Sequence, residues 1–66
     1  MDIKIGDIFK SEYYLIKILS TLDNGIVHCT VLNTDINVRA HSYMLMHALE
    51  KNFIKLDTEY AKFLYQ

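Results

Sequence analysis

The chain has 66 residues, 52% of them hydrophobic, with seven basic and eight acidic side chains and a formal charge of −1. That length suits a single domain over residues 1–66, and that apolar content excludes an intrinsically disordered chain. The balanced charge argues against a nucleic-acid surface built on a basic excess and against an acidic mimic of DNA, while leaving room for a local basic patch.

Folding a chain this short removes only about 60% of the unfolded surface from water. Part of the apolar surface is therefore expected to meet a partner, either another protein or complex or a second copy in a homodimer. Cys29 is the single cysteine, so no intramolecular disulfide can form, and a reducing cytoplasm is the expected compartment. No run approaches the ~20 apolar residues of a membrane helix, and Met1-Asp2-Ile3-Lys4 does not open a signal peptide, so no membrane partner is expected. Ile, Lys, Asn and Tyr number 8, 6, 4 and 5, together 23 of 66 residues, while Pro and Trp are missing. These four residues have AT-rich codons. A small gene with that bias suits a phage or mobile element of an AT-rich host.

Taken in chain order, Ile3-Lys4-Ile5-Gly6-Asp7-Ile8-Phe9 reads as a short strand with a turn or bulge at Gly6-Asp7. Asp23-Asn24-Gly25 is the strongest local signal. Asn-Gly is the preferred centre of a two-residue type I′ hairpin turn because both residues tolerate positive φ. The flanks, residues 13–22 and 26–32, are rich in β-branched and aromatic residues. A two-residue loop pairs Leu22 with Val27, Ser20 with Cys29 and Ile18 with Val31 on an inner face. Thr21–His28, Leu19–Thr30 and Lys17–Leu32 then fall on the outer face.

A second turn follows at Asn33-Thr34-Asp35-Ile36. With Thr34-Asp35 at its centre, Val31 pairs with Val38 and Cys29 with Ala40 on the inner face. Leu32–Asn37, Thr30–Arg39 and His28–His41 pair on the outer face. The result is a three-stranded antiparallel meander over residues 13–41, with Ile16, Ile18, Val31 and Val38 in the core. The strand over residues 36–41 is left as an exposed edge. Ser42 then caps a helix over residues 43–51 with a buried stripe of Leu45, Ala48 and Leu49, and Asn52 ends it. Residues 53–56 form a short strand or extended link. Asp57 caps a last helix over residues 58–65, with Tyr60, Phe63 and Leu64 on one side. The fold class is α+β: a small antiparallel meander with one or two short C-terminal helices.

The opening Lys4-Ile5-Gly6-Asp7-Ile8-Phe9, followed by a meander, resembles the small SH3-like barrels of the KOW and Tudor kind. The resemblance covers residues 4–41. It implies an SH3-like barrel, open or incomplete here because helices follow Ser42 where such barrels add strands. It also implies a module that binds proteins or nucleic acids.

No constellation for catalysis stands out. Cys29 and His28 are neighbours on a strand, so their side chains leave opposite faces and cannot form a nucleophile–base pair. His28 and His41 can lie together but lack a third ligand, and His47 with Glu50 on a helix supplies only two, short of a zinc site. The carboxylates fall at turns and caps, and two glycines cannot build a phosphate loop. No enzyme, metal or cofactor is expected. The expected function is a non-catalytic binding protein, a phage-type regulator or inhibitor of a host protein or complex. The alternative is an SH3-like nucleic-acid-binding module. The residues expected at the partner are Lys17, Leu19, Leu32 and Arg39 on the outer sheet face. Tyr13 and Tyr65 join them because tyrosine pairs an apolar ring with a polar tip.

Overall fold

Two runs of alternating, β-branched-rich sequence joined by Asn-Gly make the centre of a sheet, and every other strand adds to them. In the computed structural model, which describes residues 3–57, β1 (Ile8–Lys10), β2 (Tyr14–Thr21), β3 (Ile26–Asn33) and β4 (Val38–Leu45) are followed by helix α1 (Met46–Asn52) and β5 (Ile54–Lys55). The strands form one antiparallel sheet in the order β4-β3-β2-β1-β5. An α+β fold built on a meander is therefore present. The helix expected over residues 58–65 lies outside the described residues.

The opening turn is built on two residue choices. Gly6 sits at φ 93°, a conformation that L side chains rarely adopt. The Lys4 N–H donates to the Asp7 carboxylate at 2.8 Å, and the Asp7 N–H donates to the Lys4 carbonyl at 3.1 Å. The Gly6 N–H then donates to Ile18 O (2.8 Å), and the Ile18 N–H donates to Asp7 O (2.9 Å). The turn is thus sewn onto β2, and the first strand is confined to Ile8–Lys10 rather than beginning at Ile3.

The first hairpin differs from the expected one in register. Its loop has three residues, Asp23–Gly25, closed by the Leu22 N–H donating to Ile26 O at 2.8 Å. Asn24 and Gly25 do take positive φ, 73° and 70°. The odd residue moves the pairing by one, so Ser20 faces His28 and Thr21 faces Val27. Continued along β2, that shift would turn every core side chain to the wrong face. A bulge between Ile18 and Ser20 takes up one more residue, Leu19, and restores the parity. Ile18 then faces Cys29, Lys17 faces Thr30, Ile16 faces Val31 and Leu15 faces Leu32. The expected partners Ser20–Cys29, Ile18–Val31 and Lys17–Leu32 are replaced, yet the buried face is kept. Leu22, on the loop side of the bulge, loses its inner place and is 45% exposed.

The second hairpin also shifts by two residues and keeps its faces. Its loop spans four residues, because Asn33 pairs with Val38. Asn33 Oδ1 accepts the N–H groups of Asp35 (3.0 Å) and Ile36 (3.4 Å), and Asn37 closes the turn at φ 55°. Val31 therefore faces Ala40, Cys29 faces Ser42, Leu32 faces Arg39, Thr30 faces His41 and His28 faces Tyr43. Val38, expected in the core, stands at the end of the ladder and is 55% exposed.

Ser42 does not cap a helix. The strand continues through it to Leu45, since Ile26, Val27 and His28 of β3 find their partners in Leu45, Met44 and Tyr43. The helix starts at Met46 without a side-chain cap. It buries Leu49 alone, and the Phe53 N–H closes it on Leu49 O at 3.0 Å. Leu45, expected on the helix stripe, is an exposed strand residue. The chain then returns as β5 beside β1, pairing Phe9 with Lys55 and Lys10 with Ile54.

Both sheet faces carry apolar side chains. Phe9, Ile16, Ile18, Val27, Cys29 and Leu49 form the main core, flanked by Ile3, Val31, Met44, Met46 and Phe53. On the opposite face Ile8 and Leu15 pack with Leu32 and Leu56. No helix of the described residues is long and apolar enough to cross a membrane.

Candidate partner-binding face

The outer face is a lattice of cross-strand neighbours. From one end to the other it carries the rows Leu15–Leu32–Arg39, Lys17–Thr30–His41 and Ser20–His28–Tyr43, then Ile26–Leu45. The first row is partly covered from within the chain. Leu56, delivered by β5, packs with Ile8, Leu15 and Leu32, and its N–H donates to Ile8 O at 2.9 Å. The other end stays open. Tyr43 is 66% exposed and Leu45 56% exposed.

Aromatic packing gives this open end a defined shape. The His28 ring stacks on Tyr43 with centroids 4.9 Å apart and planes 26° apart. His41 meets the same His28 ring edge-on at 5.4 Å and 80°. The two histidines are therefore diagonal neighbours and not the directly opposed pair that the shorter turn implied. Thr30, buried between Lys17 and His41, is the polar floor of the middle row.

The structure gathers some of the expected partner residues and separates others. Lys17, Leu32 and Arg39 share the outer face. Lys17 and Leu32 are half-buried and Arg39 is exposed. Leu19 sits in the bulge, half-buried and without a partner across the ladder. Tyr13 lies before β2, where its carbonyl accepts the Thr34 N–H (2.7 Å) and hydroxyl (3.1 Å), joining the start of β2 to the second turn. Tyr65 lies outside the described residues. Tyr43 and Leu45 are the residues missed. Arg39, His41, Tyr43 and Leu45 alternate with Ala40, Ser42 and Met44, a period-two pattern that could have carried the strand past Ser42.

Cys29 is fully buried on the opposite face. Its thiol donates to Ser42 O at 3.4 Å, and burial pushes its pKa up, which keeps it neutral. Its side chain points away from His28, as strand alternation requires. Among the described residues no group of three or more His, Cys, Asp or Glu side chains lies where it could hold a metal ion. Lys55 Nζ of β5 pairs with Asp7 Oδ2 at 3.2 Å, beside the opening turn.

No family model matches this chain, and neither a curated protein nor a solved structure matches it.

Proposed function

We propose that the chain is a non-catalytic binding module that engages another protein through the outer face of β3 and β4. One observation carries the reading: His28, His41 and Tyr43 form an ordered aromatic cluster whose outermost ring, Tyr43, is 66% exposed beside an equally open Leu45. A solvated sheet face normally presents polar residues at such positions. Tyr and Arg are enriched where proteins meet, with apolar anchors at the centre and charges at the rim. Here Tyr43 and Leu45 are the anchors, and Arg39 and Lys17 are the rim. The small size and the AT-rich residue usage support a regulator or inhibitor of a host protein, encoded by a phage or mobile element.

A second reading is an SH3-like nucleic-acid module. It is favoured by β5, which returns to pair with β1 and supplies a further strand of the kind that closes such barrels. Tyr43 and the histidines would then stack on bases, with Lys17 and Arg39 on phosphates.

Affinity capture from the cells that express the protein separates the two. The protein reading expects a captured polypeptide that survives nuclease and half-molar salt and is lost with Tyr43→Ala/Leu45→Ser. Nucleic-acid binding would instead fall steeply with salt as counterions are released. Capture that ignores both substitutions moves the site away from this face.

A further inference from the structure

The described sheet ends in two edges of very different length. β5 offers two residues, Ile54–Lys55, and β4 offers eight, Val38–Leu45. Among the described residues β4 is paired only with β3, so alternate N–H and C=O groups along its far side have no partner in the described strands. Natural edges of this length are usually blunted by Lys, Pro or a bulge. β4 reads Val-Arg-Ala-His-Ser-Tyr-Met-Leu, with neither Lys nor Pro, and its ladder to β3 runs without a register shift. Eight turn and sheet-edge residues in a row, 34–41, are exposed, so the start of the edge is open.

We infer that β4 is a homodimer interface, in which two copies pair antiparallel along this edge about a two-fold axis normal to the sheet. The backbone sets the class of occupant, since only an extended strand can satisfy a row of strand N–H and C=O groups. The lengths of the two edges select a second copy arranged isologously. Pairing β4 of one copy with β5 of the next would make a ladder two residues long and leave edges open at both ends. Pairing β4 with β4 about His41 matches seven strand residues, 38–44, and closes the assembly.

The axis also preserves the faces, so residues opposite one another must share parity. Centred on His41, the register sets Arg39 opposite the partner's Tyr43 twice on the outer face. A guanidinium over a tyrosine ring in that position is a favourable cation–π pair. On the inner face the small residues Ala40 and Ser42 meet, and Val38, 55% exposed in one chain, meets Met44. This inference does not depend on the proposed function. The dimer covers Tyr43 with the partner's Arg39 and sets the rest of the two outer faces side by side.

The test is sedimentation equilibrium of the full chain over rising concentration, with the double variant Val38→Lys/Ala40→Lys beside it. Both positions are exposed, so the variant should keep its fold, checked by its amide NMR spectrum. The wild type should approach twice the 7.8 kDa of one chain. The variant, which brings four lysines to the junction, should raise the dissociation constant about a hundredfold. A wild type that stays at monomer mass to millimolar concentration overturns the inference, and so does a variant that dimerises as well as the wild type. Masses that grow beyond two chains would point to β4–β5 chaining and overturn it too. Should the variant fail to fold, isotope-filtered NMR on the wild type decides. Intermolecular contacts between β4 strands uphold the inference, and contacts confined to other segments refute it.

Discussion

Replacing Leu49 by alanine tests whether α1 is part of the core or merely follows the sheet. Leu49 is fully buried and is the only buried residue of the helix. The change deletes three carbons, worth about 2.4 kcal/mol at ~0.8 kcal/mol per methylene. The cavity left among Phe9, Ile16, Ile18, Val27 and Cys29 adds to that, so the expected cost is about 2–5 kcal/mol. Alanine is a better helix former than leucine, so none of the loss is local to the helix. A core of this size supplies roughly 3–5 kcal/mol in all, which puts the variant at the edge of unfolding. Urea unfolding followed by far-UV circular dichroism measures the effect, since the chain has no tryptophan to report by fluorescence. Glu50→Ala, an exposed neighbour, serves as control and should stay within about 0.5 kcal/mol of wild type. Leu49→Met, which conserves volume, should cost less than about 1.5 kcal/mol. If Leu49→Ala matches its control, α1 does not seal the sheet, and the core described above is wrong on that side.

Further outcomes are expected elsewhere in the fold. Gly25→Ala should cost about 1 kcal/mol in the same urea assay. A Cβ at Gly25 would meet nothing within 4 Å, so the penalty is that of an L residue at φ 70° alone; a neutral result would show that the loop relaxes. Asp7→Ala should cost about 1–2 kcal/mol, because it removes the acceptor of the Lys4 N–H and the partner of Lys55. Asp7→Asn, which keeps an acceptor, should recover part of that loss, and equal losses for both variants would assign the effect to the ion pair. Cys29 should resist thiol reagents until the chain unfolds, and labelling at the rate of a free thiol would contradict its burial. Its folded pKa is raised, so above the unfolded value of about 8.5 the unfolded chain has lost a proton that the folded chain still binds. The stability from this group is complete below that value and is lost as pH rises through the folded value. The urea midpoint should therefore fall more steeply above pH 8.5 in wild type than in Cys29→Ala, and parallel curves would remove the burial effect.

Local chemistry alone carried much of the fold. Asn24-Gly25 at a hairpin tip, Gly6-Asp7 at the opening turn and Asn33 at the second turn all follow from conformations that few residues tolerate. Side-chain alternation placed Ile16, Ile18, Cys29 and Val31 toward one face and Lys17, Thr30 and Leu32 toward the other. That division outlasted both register errors, because beyond the Leu19 bulge and along the second hairpin the pairing moved by two residues, and two is the period of a strand. Only the tertiary structure decided the pairings themselves. A bulge at Leu19 costs little locally and is written in no motif; it forms because, with a three-residue loop, Ile18 can reach the core only if one residue is passed over. The strand–helix boundary at Leu45 was likewise set from across the sheet, by the ladder partners that Ile26, Val27 and His28 require. Ser42 is by itself an acceptable helix cap, and its role changes because β3 is long enough to claim the residues after it. The candidate binding face depended on that same choice: Tyr43 and Leu45 become exposed outer-face residues only when β4 runs past Ser42.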